Sequence, residues 1–278
     1  MTWGLWGKKL DKKGMQHLMH HCLENSVTTF DHADIYGGYS TEAAFGNAFA
    51  QSGIKRGEIQ LISKCGIQYM CDNRPENKVK HYNYDASYIV WSAETSLKNL
   101  QTDYLDLLLL HRPSALMHPF EVAKAFQQLK DQGKVRAFGV SNFTPSQTAL
   151  IASATDLEVN QIEFSLSRHE AMHDGSLDDM LLKKITPMAW SPLGSIFKEK
   201  NDQTHRIQQQ LLELIPKYNA TADQLLLAWI LKHPAGIYPV IGTTSPDRIT
   251  NSVKALEIDL ELQDWFLMLT ASTGHKVP

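Results

Sequence analysis

Short apolar runs separated by helical patterns set the organisation of this chain. The runs occupy residues 27–30, 59–63, 105–110, 137–140, 158–162, 186–190 and 238–241. Each is bounded by turn-forming or polar residues, as expected of strands. Their starts are roughly 20–50 residues apart, room for a strand, a loop, a helix and a second loop. The run Leu107-Leu108-Leu109-Leu110 is continuous rather than alternating, which fits a parallel strand covered on both faces. With the apolar opening at residues 1–6, eight runs share 278 residues, about 35 per unit. That arithmetic predicts an α/β architecture of the (β/α)8 TIM-barrel type.

The intervening stretches carry helical periodicity. Asp11 is placed to cap a helix to about residue 24, with Met15, Leu18, Met19, Cys22 and Leu23 on one face. Asp85 is placed to cap a second, with Ile89, Val90, Ala93, Leu97 and Leu100 inward. Thr144 precedes a proline at a first helical position, Thr221 opens another helix, and Pro246 stands where a last one begins. No Gly/Ser-rich linker, low-complexity tract or charge block divides the chain, so residues 1–278 are expected to form a single barrel domain.

Composition narrows the classes. With 27 Lys+Arg against 30 Asp+Glu, the net charge is −3, so no broad basic surface recommends nucleic acid or anionic lipid as a partner. The three cysteines are too few and too irregularly spaced for a disulfide framework. The apolar runs are too short for a membrane span, and the first ten residues lack the pattern of a secretory signal. A soluble cytoplasmic protein is the expectation.

The residues at the carboxyl end of each apolar run carry the chemistry. Phe30-Asp31 leads to Tyr36 within HADIYGG, Ser63 is followed by Lys64, and Leu110 by His111-Arg112-Pro113. Later runs end in Val140-Ser141-Asn142, Asn160-Gln161, Trp190-Ser191-Pro192-Leu193-Gly194 and Ile241-Gly242-Thr243-Thr244. In a parallel barrel these carboxyl ends share one face, where barrel active sites form. Asp31, Tyr36, Lys64 and His111 are therefore expected to converge.

Together they suit carbonyl reduction. A phenol titrates near ~10, too high for ready donation at neutral pH, and an adjacent ammonium favours the phenolate. Lys64 can supply that charge, Asp31 can hold Lys64 protonated, and His111 can orient the carbonyl oxygen that Tyr36 protonates. Taken singly, each has a plainer reading: Asp31 as a turn cap, His111 as a core histidine, Tyr36 as a turn residue beside two glycines. His17, His20 and His21, and the pair His169 and His173, match metal-ligand spacing, but no third ligand is evident, and no metal is expected. Cys65 reads as a small buried thiol. No G-x-G-x-x-G follows an early strand, and no Tyr has Lys four residues later, which disfavours doubly wound dehydrogenase folds.

The segments FDHADIYGG, ISKCG, LLLLHRP, GKVRAFGVSNF, NQIEFS, MAWSPLG and IGTTSPDRI occur in that order, and over essentially the whole length the sequence resembles the aldo-keto reductase family. In particular it is similar to bacterial NADP-linked oxidoreductases with a VTTxDHADIYGGY segment. The resemblance implies an NADPH-dependent reductase of aldehydes or ketones, with Asp31, Tyr36, Lys64 and His111 as catalytic tetrad and Tyr36 as proton donor. It also implies that Ser141, Asn142 and Gln161 hold the nicotinamide carboxamide and that Trp190 stacks on the ring. Ser191, Pro192, Leu193 and Gly194 would line the pyrophosphate path. Gly242, Thr243, Thr244 and Arg248 would bind the adenosine end and its 2′-phosphate. Many relatives have Lys at the position of Gly242, so one charge favouring NADPH over NADH is missing.

Family members usually begin with a hairpin that closes the barrel floor. This chain starts inside what reads as the first strand, so a barrel with an incomplete first strand and no N-terminal hairpin is expected. Residues 66–84 and 195–203 are expected to cover the catalytic face, with Trp3, Trp6, Tyr69, Tyr82 and Tyr84 as candidate pocket walls. The alternative function is a nicotinamide-binding regulatory or sensor module with little turnover. The physiological carbonyl and the oligomeric state are not legible in the sequence.

Overall fold

The short apolar runs become strands because each is rich in aliphatic side chains and bounded by residues that stop pairing. A computed structural model describes residues 3–277, and within it the chain divides into two compact units. The first comprises residues 1–160 with 242–246, the second 161–241 with 247–278.

The first unit opens with α1 (Lys12–Glu24), β1 (Thr29–Asp31), the single turn α2 (Tyr36–Tyr39), α3 (Thr41–Phe49) and β2 (Gln60–Cys65). A small antiparallel pair, β3 (Ile67–Gln68) and β4 (His81–Tyr82), lies within the segment expected to cover the catalytic face. Then come α4 (Ala86–Leu100), β5 (Leu105–Leu110), α5 (Pro119–Asp131), β6 (Val135–Ser141), α6 (Pro145–Ala152) and β7 (Val159–Glu163), whose last residues pass into the second unit. Strands β1, β2, β5 and β6 pair in that order, all parallel, with Asp31 opposite Ile62 and Lys64 opposite Leu109. Leu108, Leu109 and Leu110 are fully buried, as a centrally placed parallel strand requires. Close packing of β6 depends on Gly139, where an added Cβ would collide with the Val159 carbonyl oxygen.

The second unit contains α7 (Ser176–Lys183), β8 (Thr186–Trp190), α8 (Asp202–Tyr218), α9 (Ala222–Leu231), β9 (Tyr238–Val240), α10 (Pro246–Val253, its first residue belonging to the first unit) and α11 (Leu262–Thr273). Strand β8 pairs with β9 in parallel, Trp190 opposite Val240. Trp229 of α9 and Trp265 of α11 stack at 4.9 Å, and each indole N–H donates to the other's carbonyl oxygen. Two large apolar rings are packed there without orphaning a donor.

The predicted helices begin directly after their capping residues, though the caps are not all bonded alike. Asp11 Oδ1 accepts from Gly14 N at 2.8 Å, and Thr144 is capped reciprocally with Gln147. Asp85 occupies its N-cap position without a side-chain bond, and Glu121 of α5 accepts from Ala86 N instead. Of the opening run, Met1 and Thr2 lie outside the described residues, and residues 3–8 form bends and turns rather than a strand. Trp3 is buried against Phe30 and Phe45, and its indole N–H donates to the Thr243 carbonyl, so Trp3 is apolar because it packs, while Leu5 and Trp6 are exposed. Among the described residues no helix is long and apolar enough to cross a membrane.

Candidate active site

Parallel pairing brings the ends of β1, β2 and β5 to one edge, and the polar residues of the first unit gather there. Side chains alternate along β2, so Lys64 projects to one face while Ser63 projects to the other. Lys64 is only 1% exposed, an untenable position for an unpaired ammonium. Its Nζ donates to both Asp31 carboxylate oxygens at 2.7 Å, to the His32 carbonyl at 2.8 Å and to Tyr36 Oη at 3.2 Å. Burial alone would pull the Lys64 pKa down; the Asp31 carboxylate and the Tyr36 oxygen outweigh it, and the net direction is up. Lys64 is therefore a fixed cation at neutral pH.

His111 follows β5, with its backbone N–H bonded to the Cys65 carbonyl at 2.9 Å. Its ring stands edge-on to Tyr36, centroids 5.9 Å apart and planes at 80°. Burial first, then the Lys64 and Arg112 charges, hold its pKa well below the usual histidine value, so the imidazole is neutral. Its Nδ1 is buried without a partner. A neutral ring beside a phenol offers a hydrogen bond to a carbonyl oxygen without a competing positive charge.

Tyr36 begins a turn in which Gly37, Gly38 and Tyr39 are successively left-handed, with φ of 62°, 68° and 64°. Glycine is required at the first of these, because a Cβ on Gly37 would collide with the Thr41 hydroxyl. Tyr39 takes the same conformation against the steric preference of a bulky residue.

In the first unit, Ser141 ends β6 and is buried; its Oγ accepts from Asn142 Nδ2 at 2.7 Å and from Arg112 at 3.4 Å. Asn142 is left-handed, φ 59°. Thr243 Oγ1 accepts from Ser245 N. In the second unit, Gln161 is buried on β7, and Trp190 ends β8 half-buried. Ser191 to Gly194 close a tight turn with Gly194 N on the Ser191 carbonyl at 2.8 Å. A Cβ on Gly194 would collide with the Ser167 and Ser165 hydroxyls. The Arg248 side chain, on the first turn of α10, is exposed.

Two candidate pocket walls turn out to be structural. Trp3 packs into the core as described, and Tyr84, 5% exposed, bonds both the carbonyl and the N–H of Arg112, fixing the chain just after His111. Trp6, Tyr69 and Tyr82 retain exposure. Cys65 is fully buried, and burial pushes its thiol pKa well up, so it is no nucleophile. Among the described residues no group of three His, Cys, Asp or Glu could hold a metal ion. Sequence reading missed a second polar cluster, Asp34, Glu42, Ser63, Ser92 and Arg74. Its only linear signal was a pair of carboxylates eight residues apart in apolar surroundings.

The site is thus an α/β arrangement whose buried lysine links a carboxylate to a phenol. The chain belongs to the aldo/keto reductase family, whose pattern matches residues 1–268. It is 45% identical over 266 residues to the uncharacterized oxidoreductase YcsN of Bacillus subtilis, covering 94% of this chain and 89% of that one. To a 6-dehydroglucose reductase of Agrobacterium fabrum it is 38% identical over 285 residues, covering 100% and 95%. A solved aldo/keto reductase from Klebsiella pneumoniae, in complex with NADP and acetate, superposes with a TM-score of 0.80 at 23% identity, covering 100% of this chain and 90% of that one. The fold class is accordingly the (β/α)8 type predicted from the spacing of the apolar runs.

Proposed function

We propose that this protein is an NADPH-dependent reductase of small aldehydes or ketones, acting as a single catalytic domain in the cytoplasm with Tyr36 as proton donor. The observation that carries the reading is Lys64 Nζ bonded at once to the Asp31 carboxylate and to Tyr36 Oη. As Tyr36 releases its proton to a substrate oxygen, the ammonium at 3.2 Å stabilises the phenolate left behind. Asp31 keeps that ammonium charged and aimed. The neutral His111 ring, edge-on to Tyr36, restricts where the carbonyl oxygen settles.

The residues assigned to the cofactor suit it chemically. Ser141, Asn142 and Gln161 offer the hydroxyl and amide groups a carboxamide pairs with, and Trp190 is a half-buried aromatic at a strand end. The turn 191–194, with no side-chain bulk at Gly194, suits a pyrophosphate. Gly242, Thr243 and Thr244 with Arg248 suit the adenosine end, and Arg248 lies at a helix N-terminus, where anions are favoured. When bound, NADPH supplies the hydride that reaches the carbonyl carbon.

The substrate panel should begin with polyhydroxylated carbonyl compounds, since a relative is named for reducing 6-dehydroglucose. The test is NADPH consumption across that panel by wild type and Tyr36→Phe. Turnover is expected to fall by about 10³-fold in the variant, with NADPH binding by fluorescence quenching unchanged. Near-native turnover of the variant would overturn the acid assignment, and quenching without turnover of any carbonyl by the wild type would point instead to a cofactor-sensing module.

A further inference from the structure

On the face of β2 opposite Lys64, Ser63 points toward α3 and α4, and a polar cavity of about 240 Å³ lies beside it. Asp34 and Glu42 line it, 8% and 2% exposed. Asp34 accepts from Ile35 N at 2.6 Å and from Ser92 Oγ at 3.0 Å; Glu42 Oε1 accepts from Ser63 Oγ at 2.5 Å, while its Oε2 is buried without a partner. Two carboxyl groups thus share a buried space, and among the described residues neither has a cation in contact.

The neighbouring cation is Arg74, brought over the cavity by a tight turn in which its N–H bonds the Cys71 carbonyl. Its guanidinium carbon sits 4.7 Å from the Tyr39 ring and 4.7 Å from the Trp91 ring. Its Nε is buried without a partner, so the aromatic faces hold the group by charge–quadrupole attraction and stacking. Tyr39 is the left-handed residue of the turn that begins at Tyr36. Its ring stacks on Tyr69 at 5.5 Å, and its hydroxyl donates to the Ile67 carbonyl at 3.2 Å. Asn73 adds a bond from Nδ2 to the Gly38 carbonyl at 2.7 Å. Residues 67–74 are thereby fastened to the same turn that presents the phenol, with Arg74 as a charged fastener.

We propose that Arg74 is a positioning residue: held between Tyr39 and Trp91 above the Asp34–Glu42 cavity, its guanidinium docks the substrate-facing segment 66–84 onto the turn that carries Tyr36. The docking stands on geometry alone; its effect on KM rests on the proposed reductase function. Because the guanidinium faces two acids across the cavity, the docking tightens as they lose their protons. Asp34 is pushed up to about 8 by burial and by Glu42, so this change falls in an accessible range. The other groups facing Asp34 are Tyr39, Cys65, Tyr84 and Tyr88; burial pushes all four up, so they stay neutral while Asp34 titrates.

The test compares wild type, Arg74→Met and Arg74→Lys by amide hydrogen exchange of residues 68–82, by KM for a reduced carbonyl compound, and by Kd for NADPH. Arg74→Met is expected to speed exchange in that segment and to raise KM by about tenfold, with kcat lowered less than about twofold and Kd unchanged. Arg74→Lys, which keeps a cation over the rings, should lose about threefold or less. The effect of Arg74→Met on KM should widen from pH 7 to pH 9 and should not widen in an Asp34→Asn background. Wild-type exchange and KM in Arg74→Met would overturn the proposal. So would equal, pH-independent losses in both variants, which would reduce the residue to packing. If the wild type reduces no carbonyl, the reductase reading fails, while the exchange comparison still decides the docking.

Discussion

Two buried polar clusters lie back to back on β2, one residue apart in sequence, and they are stabilised in opposite ways. On one face Lys64 and Asp31 neutralise each other at 2.7 Å with the phenol and a carbonyl completing the shell. On the other, Asp34 and Glu42 are two acids with hydroxyl and amide donors and no cation in contact among the described residues. The first cluster keeps its charges because they are paired; the second meets the cost of burial by holding on to protons, with Asp34 pushed up to about 8 and Glu42 also raised. Pairing produces a fixed electrostatic field suited to catalysis. The unpaired arrangement produces a site whose charge follows pH.

Removing one member of the paired cluster should have the largest effect. Lys64→Met removes the ammonium from the Asp31 carboxylate and is expected to abolish measurable turnover and cost about 3–5 kcal/mol of stability, read by urea unfolding. A small loss of stability would mean that the ammonium and carboxylate are not mutually dependent.

Asp34→Asn sharpens the contrast with the opposite sign. An acid whose folded pKa lies above its unfolded value binds more protons folded than unfolded. Stability is therefore lost as pH rises from about 4 to about 8 and is level beyond. Between pH 4 and pH 9 the variant should gain on the order of 5 kcal/mol relative to wild type, since each tenfold change in proton affinity is worth about 1.4 kcal/mol and the rise to about 8 spans about four such steps. A difference independent of pH, measured by unfolding at pH 4, 7 and 9, would show that Asp34 is not buried as a neutral acid.

Ser63→Ala should give the smallest effect. It removes the donor at 2.5 Å from Glu42 Oε1 and is expected to cost about 1–2 kcal/mol while leaving turnover within about twofold. A large fall in turnover would show that the two faces of β2 are coupled.

The clusters also differ in how far they could be read from the chain. Lys64, Asp31 and His111 each end an apolar run, and parallel strands send such ends to one edge, so periodicity alone places them together. Asp34 and Glu42 sit in a loop and a helix, Arg74 lies in a loop with no periodicity, and Trp91 is one aromatic on an amphipathic helix. Nothing in their spacing says that they meet. The opening residues failed for a related reason: an apolar run reads as a strand, yet Trp3 is apolar because it fills the space against Phe30 and Phe45. Asp85 likewise has the identity and position of a cap, but Glu121 takes the bond with Ala86 N.

By itself the sequence determined what depends on neighbours along the chain: alternation of strand and helix, the caps at Asp11 and Thr144, and the glycines that permit the left-handed turn after Tyr36. It also determined which residues stand at strand ends, and hence that Asp31 and His111 lie on the same edge as Lys64. Only the tertiary structure decided what depends on partners far apart in sequence: that Tyr84 braces the residue after His111, that two acids share a cavity, and that Arg74 lies between Tyr39 and Trp91. The reason is physical. Backbone periodicity fixes direction one residue at a time, whereas the charge state and packing of a buried side chain are set by whatever the fold brings against it.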